Sequence, residues 1–162
     1  MAVDIFMKID GANGESKDAN HKDWTDVLSF SWGATQPGNL SSGGGLGAGK
    51  ASFNDLHVVA RIDKAAPAVM KHCASGKHLN MVQLSMCKAG GTQIEYSKIT
   101  LEDVLVSSVQ LSGDGGSDAG VIANFAFQAA KVKQQYWEQT DQGGKGAETL
   151  VAWDIKQNKE VG

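Results

Sequence analysis

The chain has 162 residues, 41% of them hydrophobic and 20% charged, a balance that belongs to folded globular proteins and not to disordered ones. A chain of this size is expected to form one domain, 1–162, with a core large enough to fold without staples. Its formal net charge is −3 and its lysines and arginines are scattered, which argues against nucleic acid and anionic membranes as partners.

At the N-terminus Val3, Ile5, Met7 and Ile9 share one parity, the pattern of a half-buried strand. No basic leader precedes an apolar segment there and no small-residue cleavage site follows. The chain is therefore expected to be made in the cytosol and not exported through a signal-peptide route. No apolar stretch approaches the length of a membrane span.

From Trp24 to Trp32 a second strand is predicted, with Leu28, Phe30 and Trp32 on one face and Ser29 and Ser31 on the other. A Gly/Ser-rich stretch, Pro37 to Gly49, separates it from a third run in which Leu56, Val58, Ala60 and Ile62 alternate with His57 and Arg61. Between Pro67 and Gly76 lies one helix. Proline suits a first turn, glycine supplies a stop, and Val69, Met70 and Cys73 are spaced as one apolar face. So short a helix must pack against the sheet to persist.

Further strands are predicted near Leu79–Lys88, from Ile94 to Leu111, from Val121 past Tyr136, and over Val151–Ile155. The apolar phase shifts between Ile94/Tyr96 and Ile99/Leu101, and again between Phe125/Phe127 and Val132/Tyr136, which points to bulges or sheet corners. Many short strands joined by glycine-rich turns describe a mainly β barrel or sandwich with one helix.

Gly44-Gly-Leu-Gly-Ala-Gly-Lys50 fits the phosphate-loop spacing G-x-x-x-x-G-K. The chemistry also needs Ser or Thr next, to hold magnesium, and a helix whose N-terminus faces the phosphates. Here Ala51 follows, and then a strand pattern, so a flexible extended loop is the better reading. His72, Cys73 and His78 lack metal-ligand spacing, because neighbours on a helix point about 100° apart. Glu102 and Asp103 would face opposite sides of a strand. No G-x-S-x-G elbow or Cys/His signature is present, so no catalytic, metal or cofactor site is expected. Cys73 and Cys87 read as reduced, largely buried thiols. The four tryptophans read as core, with Trp137 a candidate for an edge.

Two features suit an isolated monomer poorly. The glycine-rich loop is longer than a compact domain needs. Ser29 and Ser31 give one strand a small, uncharged outer face, fit for a channel wall, a weak protein contact or a plain solvated surface.

Read in order, several blocks are familiar: Ala2–Ile9, Gly14-Glu-Ser-Lys-Asp18, Val27-Leu-Ser-Phe-Ser-Trp-Gly33, Gly43–Lys50 and Ile62-Asp-Lys64. So are Ser75-Gly-Lys-His78, Lys88-Ala-Gly-Gly91 and Ile99–Ser108. Together they closely resemble the haemolysin-coregulated protein (Hcp) family of type VI secretion systems over essentially the whole chain, departing most at Leu111–Ala119 and Asp141–Glu148. The resemblance implies a closed or nearly closed β-barrel with one flanking helix, similar to phage tail-tube proteins. It implies homohexameric rings that stack into a tube inside a contractile sheath, beneath a valine-glycine-repeat spike. The protein would be cytoplasmic and then secreted through the type VI apparatus, carrying effector proteins in its lumen. On this reading Gly43, Gly44, Gly45, Leu46, Gly47 and Lys50 make ring or tube contacts, and Ser29 and Ser31 line the lumen. A nucleotide-binding protein using Gly44–Lys50 and a monomeric β-barrel module for a small ligand or glycan are the competing readings.

Overall fold

The computed structural model describes residues 2–38, 49–88, 92–116, 118 and 120–161. Ten strands and one helix follow in the order β1 (Val3–Ile9), β2 (Thr25–Ser31), β3 (Ala34–Thr35), β4 (Ser52–Phe53), β5 (Leu56–Arg61), α1 (Ala65–Ser75), β6 (Leu79–Lys88), β7 (Ile94–Gly113), β8 (Val121–Gln139), β9 (Lys145–Asp154) and β10 (Lys159–Glu160). The main sheet runs β10-β9-β8-β5-β2-β1-β6-β7, and β7 also pairs with β8. That last pairing closes β8-β5-β2-β1-β6-β7 into a six-stranded antiparallel barrel, with β9 and β10 as a wing on β8. Closure removes most free strand edges, the usual liability of an all-β protein.

The core follows the predicted alternation. Met7, Ile9, Leu56, Val58, Ala60, Leu84, Leu101, Val104, Phe125 and Phe127 are all buried inside the barrel. His57 and Arg61, of opposite parity to their apolar neighbours, are exposed. Phase changes occur at bulges. Met86 pairs with Ser97 but Cys87 with Glu95, so Tyr96 is the extra residue behind the predicted shift between Tyr96 and Ile99. A second bulge, at Ser107, separates Val106↔Phe127 from Ser108↔Ala126.

Three expectations are corrected. In β2, Val27 pairs with Ala60 and Ser29 with Val59, which makes Leu28 the extra residue of a bulge. Thr25 and Val27 therefore point inward before it and Phe30 after it, while Leu28 is 41% exposed and does not share the face of Phe30 and Trp32. In the helix the buried face is Ala65, Ala66 and Val69; Met70 lies at the margin of that face and is 42% exposed. In β8, Tyr136 is exposed and Trp137 is the buried aromatic, its indole N–H donating to Glu148 at 2.9 Å. The helix does stop at Gly76, in the left-handed region at φ 71°, with its N–H on His72 O.

Leu84 and Leu28 test this arrangement. Leu84→Ala opens a cavity in the barrel and should cost about 2–5 kcal/mol, whereas Leu28→Ala should stay within about 0.5 kcal/mol. Equilibrium urea denaturation of the two variants measures both.

Candidate assembly surface

Four strand segments share a face that points away from the core. Across β2, β5, β8 and β7, Ser31 aligns with His57, Ala126 and Ser108; the next row is Ser29, Val59, Asn124 and Gln110. Arg61, Ile122 and Ser112 form a third row. Serine, asparagine and glutamine dominate this wall. Ser29, Ser31, His57 and Gln110 are exposed on it, and the rows themselves contain no carboxylate. The bulge at Leu28 is what turns both serines to this side.

The wall has two free edges among the described residues. β1 pairs with β2 only from Thr25 to Val27, so Ser29–Ser31 has β5 on one side and no strand on the other. β6 accompanies β7 only as far as Val104, and beyond it β7 pairs with β8 alone. An edge of this kind presents unpaired N–H and C=O groups to any strand that can lie beside it.

At one end of the wall the chain leaves the barrel through the β3–β4 ribbon, in which Ala34 pairs with Phe53 and Thr35 with Ser52. The ring of Trp32 lies 6.1 Å from that of Phe53 and seats the ribbon. Gly49 sits against Pro37, where a Cβ would come within 2.8 Å of the proline ring. Gly43, Gly44, Gly45, Leu46 and Gly47 fall outside the described residues; Lys50 is exposed at the root. A two-residue strand, not a helix, follows Lys50, so the phosphate-loop motif lacks the helix N-terminus its chemistry requires. Beside the ribbon, Ser31, Trp32, Phe53, Asn54, Asp55 and His57 line an open hollow of about 460 Å³.

The other sequence candidates are local contacts. His72 Nδ1 lies 2.9 Å from its own helix carbonyl, Ala68 O. His78 Nδ1 is 2.7 Å from Asp103, which also accepts from Lys156; these two partners hold the exposed Asp103 carboxyl below its ordinary value. No group of three His, Cys, Asp or Glu side chains among the described residues is placed to hold a metal.

One constellation was not legible in the sequence. Asp18 Oδ2 is 2.7 Å from His21 Nδ1, and His21 Nε2 is 3.1 Å from Ser85 Oγ, an Asp-His-Ser sequence of contacts. Cys87 Sγ lies 3.8 Å from the same nitrogen. Only tertiary pairing brings residues 18, 21, 85 and 87 together; the three-residue spacing of Asp18 and His21 was the sole local signal. The geometry resembles a catalytic triad, but Ser85 and Cys87 are both 0% exposed. Burial also pushes the Cys87 thiol up, aided by Glu95, Asp18 and Asp4 and opposed by a hydrogen bond with Ser85. A nucleophile needs an accessible, activated atom; here the cluster ties the 13–24 segment to the barrel. Cys87 should accordingly resist thiol reagents in the folded protein while Cys73, half-buried on the helix, reacts, and both should titrate after denaturation.

Comparison with known proteins supplies a frame for the wall. A family described as type VI secretion system effector, Hcp, matches residues 6–136. Protein hcp1 of Pseudomonas aeruginosa is 46% identical over 163 residues, covering 99% of this chain and 100% of that protein. Among solved structures, Hcp1 from Salmonella typhimurium superposes with a TM-score of 0.83 at 37% identity, over 99% of this chain and 100% of that one. A type six secretion system protein superposes with a TM-score of 0.91 at 32% identity and the same coverage.

Proposed function

The chain belongs to the Hcp family of type VI secretion proteins, and from that premise we propose that it is the structural subunit of the secretion tube, acting by assembly and not by catalysis. The observation that carries this reading is the polar wall with two free edges. Laid side by side, the β2 edge of one copy meets the β7 edge of the next, and the sheet continues from subunit to subunit. The two edges are unlike, so the contact is heterologous and closes into a ring when the rotation per subunit divides a full turn. Family resemblance supports six copies. The continuous sheet then forms the inside of the ring, with Ser29 and Ser31 in its lining.

Rings stack into a hollow tube in this reading, through a polar, glycine-rich arm containing Gly43, Gly44, Gly45, Leu46, Gly47 and Lys50. A contact without a large apolar face allows assembly on demand without precipitation. The mostly uncharged lining, with Arg61 the one formal charge in its three rows, admits effector proteins without gripping them. The valine-glycine-repeat spike and the contractile sheath are the remaining partners. Secretion follows sheath contraction, and no helix among the described residues is long and apolar enough to cross a membrane. The whole chain, 1–162, acts as one tube domain.

Class averages from negative-stain electron microscopy should show rings with a central hole; a monodisperse monomer by light scattering would sink the proposal. Shortening Gly43–Gly49 should leave the barrel folded and weaken ring or tube contacts. Ser31→Glu should spare the ring and impair co-purification of effector. If that variant fails to fold, Ser31 does not face the lumen.

A further inference from the structure

The proposed assembly makes no use of the buried polar cluster behind β1, yet its hydrogen bonds can be counted proton by proton. Ser85 has one hydroxyl hydrogen and donates it to Glu95 Oε2. Glu95 accepts from Lys145 Nζ through its other oxygen, at 3.2 Å, and so serves as an acceptor on both sides. Ser85 Oγ is left with only lone pairs to offer His21 Nε2. On the far side of the ring Nδ1 faces the Asp18 carboxylate, which is again an acceptor. A neutral imidazole carries one N–H and leaves one of these contacts as two opposed lone pairs. The Cys87 thiol does not relieve that clash, because donating to Nε2 would still leave Ser85 Oγ facing the same nitrogen.

We infer that His21 is held as an imidazolium, with both ring nitrogens donating, and that this one proton clasps the 13–24 segment to β6 and β7. The surroundings favour the cation. Asp18 faces it from its own loop, Glu95 from β7, and Asp4 of β1 stands near enough to act on the Cys87 thiol of β6. Lys145 of β9 stands behind Glu95, and the sequence neighbours Lys22 and Asp23 are exposed. Phe6 stacks on the ring at 4.3 Å between centroids, with 10° between planes, offering its π face. Trp24 meets the ring edge-on at 4.8 Å.

At the acid end Asp18 sets the limit of the clasp. Burial raises its pKa, but hydrogen bonds from His21, the Asn20 N–H and Gln93 outweigh burial and lower it. Its contribution is therefore lost only as pH falls through that lowered value.

Long-range ¹H–¹⁵N correlation on histidine-labelled, assembled protein at about pH 7, inside the range where histidines titrate, reads the ring directly. Two protonated nitrogens are expected at His21, and a neutral single tautomer would overturn the inference. In Glu95→Gln the amide can donate to Ser85 Oγ and free the hydroxyl for Nε2, so His21 should become neutral with its hydrogen on Nδ1. An unchanged imidazolium in that variant also overturns it. Thermal midpoints at acid pH give a second readout: the wild-type value should fall as pH drops through the Asp18 titration, and the His21→Gln value should fall less over the same range. Parallel curves would count against a proton-held clasp, and should His21→Gln not fold, the two spectra still decide.

Discussion

Pairing between β7 and β8 is the constraint on which the rest of the molecule depends. These strands have 20 and 19 residues, far more than a six-stranded barrel needs. A straight strand of 20 residues would be roughly 65 Å long, so it has to bend, and the bulges at Tyr96 and Ser107 let it do so. Over its first half β8 pairs with β5 and closes the barrel; over its second half it pairs with β9 and builds the wing. The far half of β7 outruns β6 and is a free edge among the described residues. Barrel, wing and free edge are thus three consequences of one over-long hairpin.

Two different interiors result. Inside the barrel the packing is apolar, and its stability comes from removing side chains such as Phe127, Leu56 and Leu84 from water. Outside β1 the 13–24 segment covers a polar interior of His21 and Ser85. Burying such groups is unfavourable unless they are paired, and in the clasp they are, through Asp18 and Glu95. Gly14 permits the close approach of that segment: a Cβ there would come within 2.4 Å of Thr25 Oγ1 and 2.6 Å of Trp24 O.

Strand parity was legible wherever one face is core and the other is not, as at Leu56, Val58 and Ala60 against His57 and Arg61. It failed at Leu28, because a bulge resets which residues face inward and nothing local marks the bulge. It failed at Phe6 for another reason. That side chain has the outward parity of its strand, yet it is 6% exposed, because a distant loop packs His21 over it. Met70 and Tyr136 were misplaced by one residue of helical rotation and one residue of strand phase. The small size of Ser29 and Ser31 was visible in the chain; the four-stranded wall around them was not, since Asn124, Gln110 and Ser108 join it only through pairing.

The sequence by itself determined the β character of the chain, the single helix with its glycine stop, and the absence of helix chemistry after Lys50, since each depends on residues a few positions apart. Its ordered blocks also carried the family. Tertiary structure alone decided which strands close the barrel, where two edges stay unpaired among the described residues, and that Asp18, His21, Ser85 and Glu95 meet. Those outcomes rest on contacts between residues tens of positions apart, which depend on strand length, register and bulges together and leave no pattern in any short stretch of the chain.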